Sequence, residues 1–131
     1  MRLLLDTQIV LWSVDKPDEL TGAERDLISA PDCELVVSVV SLWEIRIKIR
    51  AIERRGQAST LPDPAHVIAF YNELGARIAP LNPSTLTISL HPPVPHADPF
   101  DEILLVHAGE LGARLLTRDR HLRNHPLAYQ S

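Results

Sequence analysis

The chain has 131 residues, 45% hydrophobic and 23% charged, which is enough apolar mass to bury one core and too little length for a second. That balance excludes intrinsic disorder. A formal net charge of −4, from 13 Lys and Arg against 17 Asp and Glu, excludes binding to nucleic acid or anionic lipid through bulk attraction, so any such contact must be local.

Arg2 to Leu5 is a short apolar run that reads as a first strand, and Ile9, Val10, Trp12 and Val14 read as a short helix, so Asp6 falls where strand gives way to helix. Thr21 and Glu24 have capping-box spacing and open a helix to about Ala30, stopped by Pro31-Asp32. Glu34 to Val37 reads as the second strand. From Trp43 to Ile52 apolar and charged residues alternate, which fits a half-buried strand as well as a helix. Ser41 followed by Glu44 has the capping-box pattern, and Ile45, Ile49 and Ile52 make a helical stripe, which together favour helix.

Gly56 to Pro62 reads as a loop. Asp63-Pro64 supplies a cap and a first-turn proline for a helix through Leu74, closed by Gly75. Arg77 to Leu81 is a third strand, and Asn82-Pro83 repeats the start signal for a short helix to about Leu90. His91 to Pro95, with its prolines, is loop. Asp98-Pro99 is again cap and first turn, and Phe100, Ile103, Leu104, His107, Ala108 and Leu111 recur at helical spacing up to Gly112. Arg114 to Thr117 is a fourth strand, followed by the charged turn Arg118-Asp119-Arg120 and a tail in which Leu127 to Tyr129 is a candidate last strand. Short strands alternating with helices predict one α/β domain over residues 1–131, a parallel sheet covered on both faces.

The lone cysteine, Cys33, excludes an intramolecular disulfide, a thiolate zinc cage and an iron–sulfur cluster, and fits a reducing compartment. The amino terminus lacks the apolar region of a signal peptide, and the apolar stretch from Leu35 to Trp43 is broken by serines. These features predict a cytoplasmic protein with no membrane contact.

The functional signal lies in where the acids fall. Asp6 follows the first strand, Glu44 lies just past the second, Asp98 and Asp101 open the helix before the fourth, and Asp119 follows the fourth. In open parallel sheets the carboxyl ends of the strands form the ligand-binding edge. Each acid also has an ordinary explanation as a cap, a first-turn acid or a turn residue. Taken together they predict a shared cleft. Like charges about 4 Å apart repel by roughly 4 kcal/mol at an effective dielectric of about 20, a conflict that a divalent cation resolves. All-oxygen ligands select magnesium or manganese over zinc, and the chemistry such an ion supports here is phosphodiester cleavage.

Local positive charge fits that substrate. Arg46, Lys48, Arg50, Arg54 and Arg55 face only Glu53 within residues 46–55, and Arg114, Arg118, Arg120 and Arg123 surround Asp119. A solvated helix face with Glu44 pairing Lys48 explains the first window equally well.

Four segments, Leu-Leu-Leu-Asp-Thr at 3–7, Ser-Val-Val-Ser-Leu-Trp-Glu-Ile at 38–45, His-Ala-Asp-Pro-Phe-Asp at 96–101 and Leu-Leu-Thr-Arg-Asp at 115–119, make the chain resemble PIN-domain ribonucleases of the VapC-like toxin class. The resemblance implies a PIN-like three-layer α/β fold with a short, mostly parallel central sheet and helices on both faces, residues 42–52 among them. It further implies a magnesium- or manganese-dependent endoribonuclease with Asp6, Glu44, Asp101 and Asp119 as its acidic quartet and Asp98 as an additional acid. Asp6 and one of Asp98 and Asp101 would be the principal metal ligands, with Asp119 completing the shell and Glu44 orienting water or helping to hold a second ion. Thr7, Arg46, Thr117 and Arg118 are the expected substrate contacts. The same resemblance implies an RNA substrate, a small antitoxin that covers the cleft, and a homodimer.

One departure is Glu102, which stands after Asp-Pro-Phe-Asp where many relatives carry Arg and adds negative charge beside the site. His96 and His107 invite a zinc site, which the apolar face carrying His107 disfavours. Trp12 and Trp43 have neighbours that suit apolar packing better than base stacking, and the strip around Trp43 and Ile47 is a candidate contact surface. Two other classes remain as alternatives: a receiver-like phospho-accepting domain, which lacks its expected late lysine because none follows Lys48, and a non-catalytic binding module.

Overall fold

The computed structural model describes residues 1–95 and 98–131. Four strands, β1 (Arg2–Leu5), β2 (Glu34–Ser38), β3 (Arg77–Ala79) and β4 (Arg114–Leu116), form one parallel sheet in the order β3-β2-β1-β4. Between them run α1 (Thr7–Asp15), α2 (Gly22–Ser29), α3 (Val39–Arg54), α4 (Pro64–Glu73) and α5 (Pro99–Glu110), with short 3-10 turns at Pro17–Glu19 and Pro83–Thr87. β1 is internal, with Leu4 in register with Val36 on one side and Leu115 on the other.

The strands are apolar on both faces because both faces are covered. Leu3 and Leu5 join Leu35, Val37 and Leu116 beneath Ile9, Val10, Ile45, Val67 and Tyr71. Leu4, Val36 and Leu115 turn the other way, onto Leu104, Leu105 and Ala108 of α5. The result is the three-layer arrangement expected from the sequence, with every loop that leaves a strand's carboxyl end emerging on one edge.

Local signals account for most boundaries. Thr21 and Glu24 make both halves of the capping box at α2. Asp63 accepts from the His66 N–H ahead of α4, and Asp98 from the Phe100 N–H ahead of α5, each with proline at the first helical position. Gly112, at φ 63°, ends α5 in a conformation that a side chain would strain.

Four boundaries differ from expectation. The third helix begins at Val39, three residues before its expected start at 42, because Ser38 caps it by accepting from the Val40 N–H at 3.0 Å. Ser41 is thereby a buried position inside the helix, and Glu44 is freed from capping. β3 stops at Ala79, since Pro80 has no N–H to extend the ladder. The segment after Asn82 is a 3-10 turn only, and the Asn82 side chain makes no capping bond. Leu127 to Tyr129 adds a single parallel bridge, Leu115 to Ala128, rather than a strand. Among the described residues no helix is long and apolar enough to cross a membrane.

Candidate active site

Asp6 leaves the end of β1 with both carboxylate oxygens engaged. Oδ1 accepts from the Thr7 N–H at 2.8 Å, which makes Asp6 the cap of α1, and Oδ2 accepts from the Thr117 hydroxyl at 2.7 Å. Its own N–H donates to Leu116 O at 3.0 Å, so the residue is tied to the end of β4 through main chain and side chain alike. Burial raises its pKa above the ordinary 3.8 by removing water from the charge. The bonds from Thr117 and Thr7 pull it back, and the negative charges of Glu44 and Asp119 push it further up.

Glu44 reaches the same place from α3. Thr7 Oγ1 lies 2.6 Å from Glu44 Oε1 and 3.0 Å from Ser41 Oγ. A hydroxyl has one proton, so Thr7 donates to the carboxylate and accepts from Ser41. On its other side Glu44 Oε2 is 3.5 Å from Lys48 Nζ, the pairing anticipated for this helix face. Asp119 arrives from the opposite direction, on the segment beyond β4. Its N–H donates to Thr117 Oγ1 at 3.0 Å, and its Oδ1 accepts from the His121 N–H at 2.8 Å. Thr117 therefore links two acids, donating to Asp6 and receiving from Asp119. A cleft of about 280 Å³ is lined by Asp6, Gln8, Ile9, Trp12, Arg118 and Asp119.

Asp98 and Asp101 stand at the amino terminus of α5, where Asp98 Oδ1 accepts from the Phe100 N–H at 2.9 Å and lies 3.4 Å from the Asp101 N. His96, the first residue of that motif, lies outside the described residues. Among the described residues no three His, Cys, Asp or Glu side chains form a ready metal cage. What is assembled is a half-buried carboxylate whose charge is opposed by desolvation and by two further carboxylates, all of them hard oxygen donors. That donor chemistry fits a divalent cation of the magnesium or manganese kind and not a soft one.

The match to known proteins agrees with this arrangement of acids around a parallel sheet: the model of the PIN domain matches residues 3–126. The chain belongs to the PIN-domain family. It is similar to Ribonuclease VapC22 of Mycobacterium tuberculosis, 30% identical over 126 residues that cover 94% of this chain and 91% of that protein. It is thus a VapC-like PIN domain, and the receiver-like alternative has no support.

Within this PIN domain the expected substrate contacts divide. Thr7 and Thr117 are both in the site, but their hydroxyls are committed to holding carboxylates. Arg46 is exposed on α3. Arg118, expected on a phosphate, is bound by the protein itself: Nε donates to Glu24 Oε2 at 2.8 Å and Nη2 to Glu24 Oε1 at 2.6 Å. Nη2 also donates to the Glu19 carbonyl, and the guanidinium carbon lies 4.3 Å from the centre of the Trp12 ring. Trp12 is accordingly an arginine platform rather than a base platform. Arg118 in turn holds the Glu24 carboxyl below the usual carboxylate range.

His107 is a structural residue. It is 2% exposed, and its Nδ1 lies 2.8 Å from the Ser38 Oγ. The neutral ring has one N–H, and giving it to the Pro80 carbonyl makes Nδ1 the acceptor of the Ser38 hydroxyl proton. Burial pushes its pKa below 6.5, keeping it neutral and joining α5 to the ends of β2 and β3. Three contributors escaped the sequence reading: Ser38, Ser41 and the second role of Glu24. Ser41 and Glu24 each carry a capping-box signature, which explains them locally; their partners Thr7 and Arg118 are 34 and 94 residues away.

Proposed function

We propose that this PIN domain is the toxin of a toxin–antitoxin pair and hydrolyses RNA phosphodiester bonds in a divalent-metal-dependent reaction, within one domain spanning residues 1–131. The observation that carries the reading is the convergence of three carboxylates at the sheet's ligand edge, Asp6 being tied to Glu44 through Thr7 and to Asp119 through Thr117, which favours a cationic guest.

Asp6, with Asp98 or Asp101 and with Asp119, holds magnesium or manganese, and Asp6, Glu44, Asp101 and Asp119 are the catalytic acids. What the bound cation supplies is polarisation of a phosphoryl oxygen and a more acidic water. The chain supplies orientation. Thr7 N–H and Thr117 O–H fix the two oxygens of Asp6 while leaving lone pairs for a ligand, since a carboxylate offers about four acceptor positions. Thr7 holds Glu44 by Oε1 so that its carboxylate orients the attacking water. Arg46, exposed on α3, meets the RNA backbone outside the cleft.

The partner is a small antitoxin that covers the cleft, and the toxin works in the cytoplasm as a homodimer. An apolar groove of about 420 Å³, lined by Val40, Trp43, Leu81, Leu86, Phe100 and Ile103, supports a protein partner, because Trp43 is 53% and Leu86 66% exposed.

The deciding experiment is cleavage of structured RNA with magnesium, with manganese and with chelator, using Asp6→Asn as control. Cleavage that depends on the cation and disappears in the variant is expected. Equal cleavage in chelator or in Asp6→Asn would remove the reading, and a folded, cation-binding protein that cuts nothing would favour a binding module.

A further inference from the structure

We propose that Arg118 and Glu24 are a positioning pair that holds the segment from Thr117 to Asp119 against Asp6, an inference that rests on the ribonuclease reading. Arg118 lies between the two residues that connect the acids. Thr117 donates to Asp6 Oδ2 at 2.7 Å and accepts from the Asp119 N–H at 3.0 Å. This segment begins where β4 ends at Leu116, beyond the last rung of the strand ladder. Arg118 restrains it from the far side.

The restraint has three parts, each rooted in a different early element. The guanidinium makes a two-point fork on Glu24, with bonds of 2.8 and 2.6 Å. It donates to the Glu19 carbonyl in the 3-10 turn, and it lies over the ring of Trp12 on α1. Glu24 is itself held: it is 7% exposed, and its Oε1 accepts from the Thr21 N–H at 2.8 Å as half of the capping box. An arginine serving substrate would keep its fork free, whereas here Nε and Nη2 are both spent on Glu24. The pair also stands between two spaces, since Arg118 lines the 280 Å³ cleft and Glu24, with Thr117, lines a separate cavity of about 440 Å³.

Glu24→Gln keeps a capping-box acceptor and removes the charge; Arg118→Lys keeps the charge and removes the fork; Arg118→Ala removes both. Each is expected to lower kcat for RNA cleavage by about tenfold or more, as a small misplacement of reacting groups does, with KM changed less than about threefold. The Glu24→Gln/Arg118→Ala double variant should be no worse than Arg118→Ala, because the two act as one unit. In the cation-free chain the Asp119 amide should exchange its hydrogen about tenfold faster in all three, while the amides of α4 stay protected. A salt-dependent rise in KM for Arg118→Ala with Glu24→Gln unaffected would make Arg118 a phosphate contact and overturn the proposal, as would additive losses or unchanged exchange at Asp119. If the parent chain cuts no RNA, that result falls on the ribonuclease reading, and exchange at Asp119 alone decides the pair.

Discussion

The Thr117 hydroxyl donates to Asp6 Oδ2 at 2.7 Å across 111 residues of chain, joining the loop beyond edge strand β4 to the end of the internal strand β1. The same oxygen receives the Asp119 N–H. Thr117→Val should therefore separate the acids without disturbing the core, lowering kcat about tenfold and destabilising the fold by about 1 kcal/mol. Thr117→Ser should keep most of the activity. Steady-state kinetics on RNA and urea unfolding check both.

Asp6 gives the cation-free protein a distinctive pH dependence. Its folded pKa is raised, so its contribution to stability is present in full below the ordinary value of 3.8 and is lost as the pH rises through the raised one. Asp6→Asn fixes a neutral side chain. The variant should thus unfold at higher temperature than the parent at pH 7 and lose that advantage toward pH 3, as thermal unfolding across the range will read out.

Manganese or magnesium should reverse that order. A ligand that binds only the folded state at about one hundred times its Kd adds about 2.7 kcal/mol, so the parent's midpoint should rise with added cation while that of Asp6→Asn stays put. Calorimetric titration of the two proteins with either chloride salt checks the binding itself.

Acid should act on a different residue. His107 is held neutral by burial, flanked by Arg77 and Glu110, so its contribution is full above pH 6.5 and is lost as the pH falls through its depressed value. Ser38→Ala removes both the α3 cap and the donor to His107 Nδ1, and should cost about 2 kcal/mol. Denaturant unfolding at pH 8 and pH 5 would show the parent weaker at the lower pH.

Much of the fold was legible because its signals are local. Asp63-Pro64, Asp98-Pro99 and the Thr21/Glu24 box each act within one helical turn, and the continuous apolar strands announce a sheet covered on both faces. What misled was also local. Ser41 and Glu44 imitate a capping box, yet Ser38 caps α3, because Ser38 sits where β2 ends and the helix can begin at once. Arg118 illustrates the opposite difficulty. Beside Asp119 it reads as a phosphate contact, and only the tertiary approach of α2 turns it onto Glu24. The placement of Asp6, Glu44 and Asp119 followed from strand ends alone, whereas the hydroxyls of Thr7 and Thr117 that hold them required the folded chain.

Tyr71 tests the opposite face of the sheet. It is fully buried, its hydroxyl donates to Val10 O at 3.0 Å, and burial pushes its pKa up to about 12. Tyr71→Phe leaves that carbonyl without its donor and should cost about 1 to 2 kcal/mol with little effect on catalysis. In the parent the neutral hydroxyl stabilises fully below pH 10, and that contribution is lost as the pH rises through about 12. Alkaline unfolding of the two proteins should converge.

Because Asp6 meets its hydroxyl donor only after another 111 residues have been added, the cleft cannot form until β4 has been made. The scissors close only once β4 has slid in beside β1.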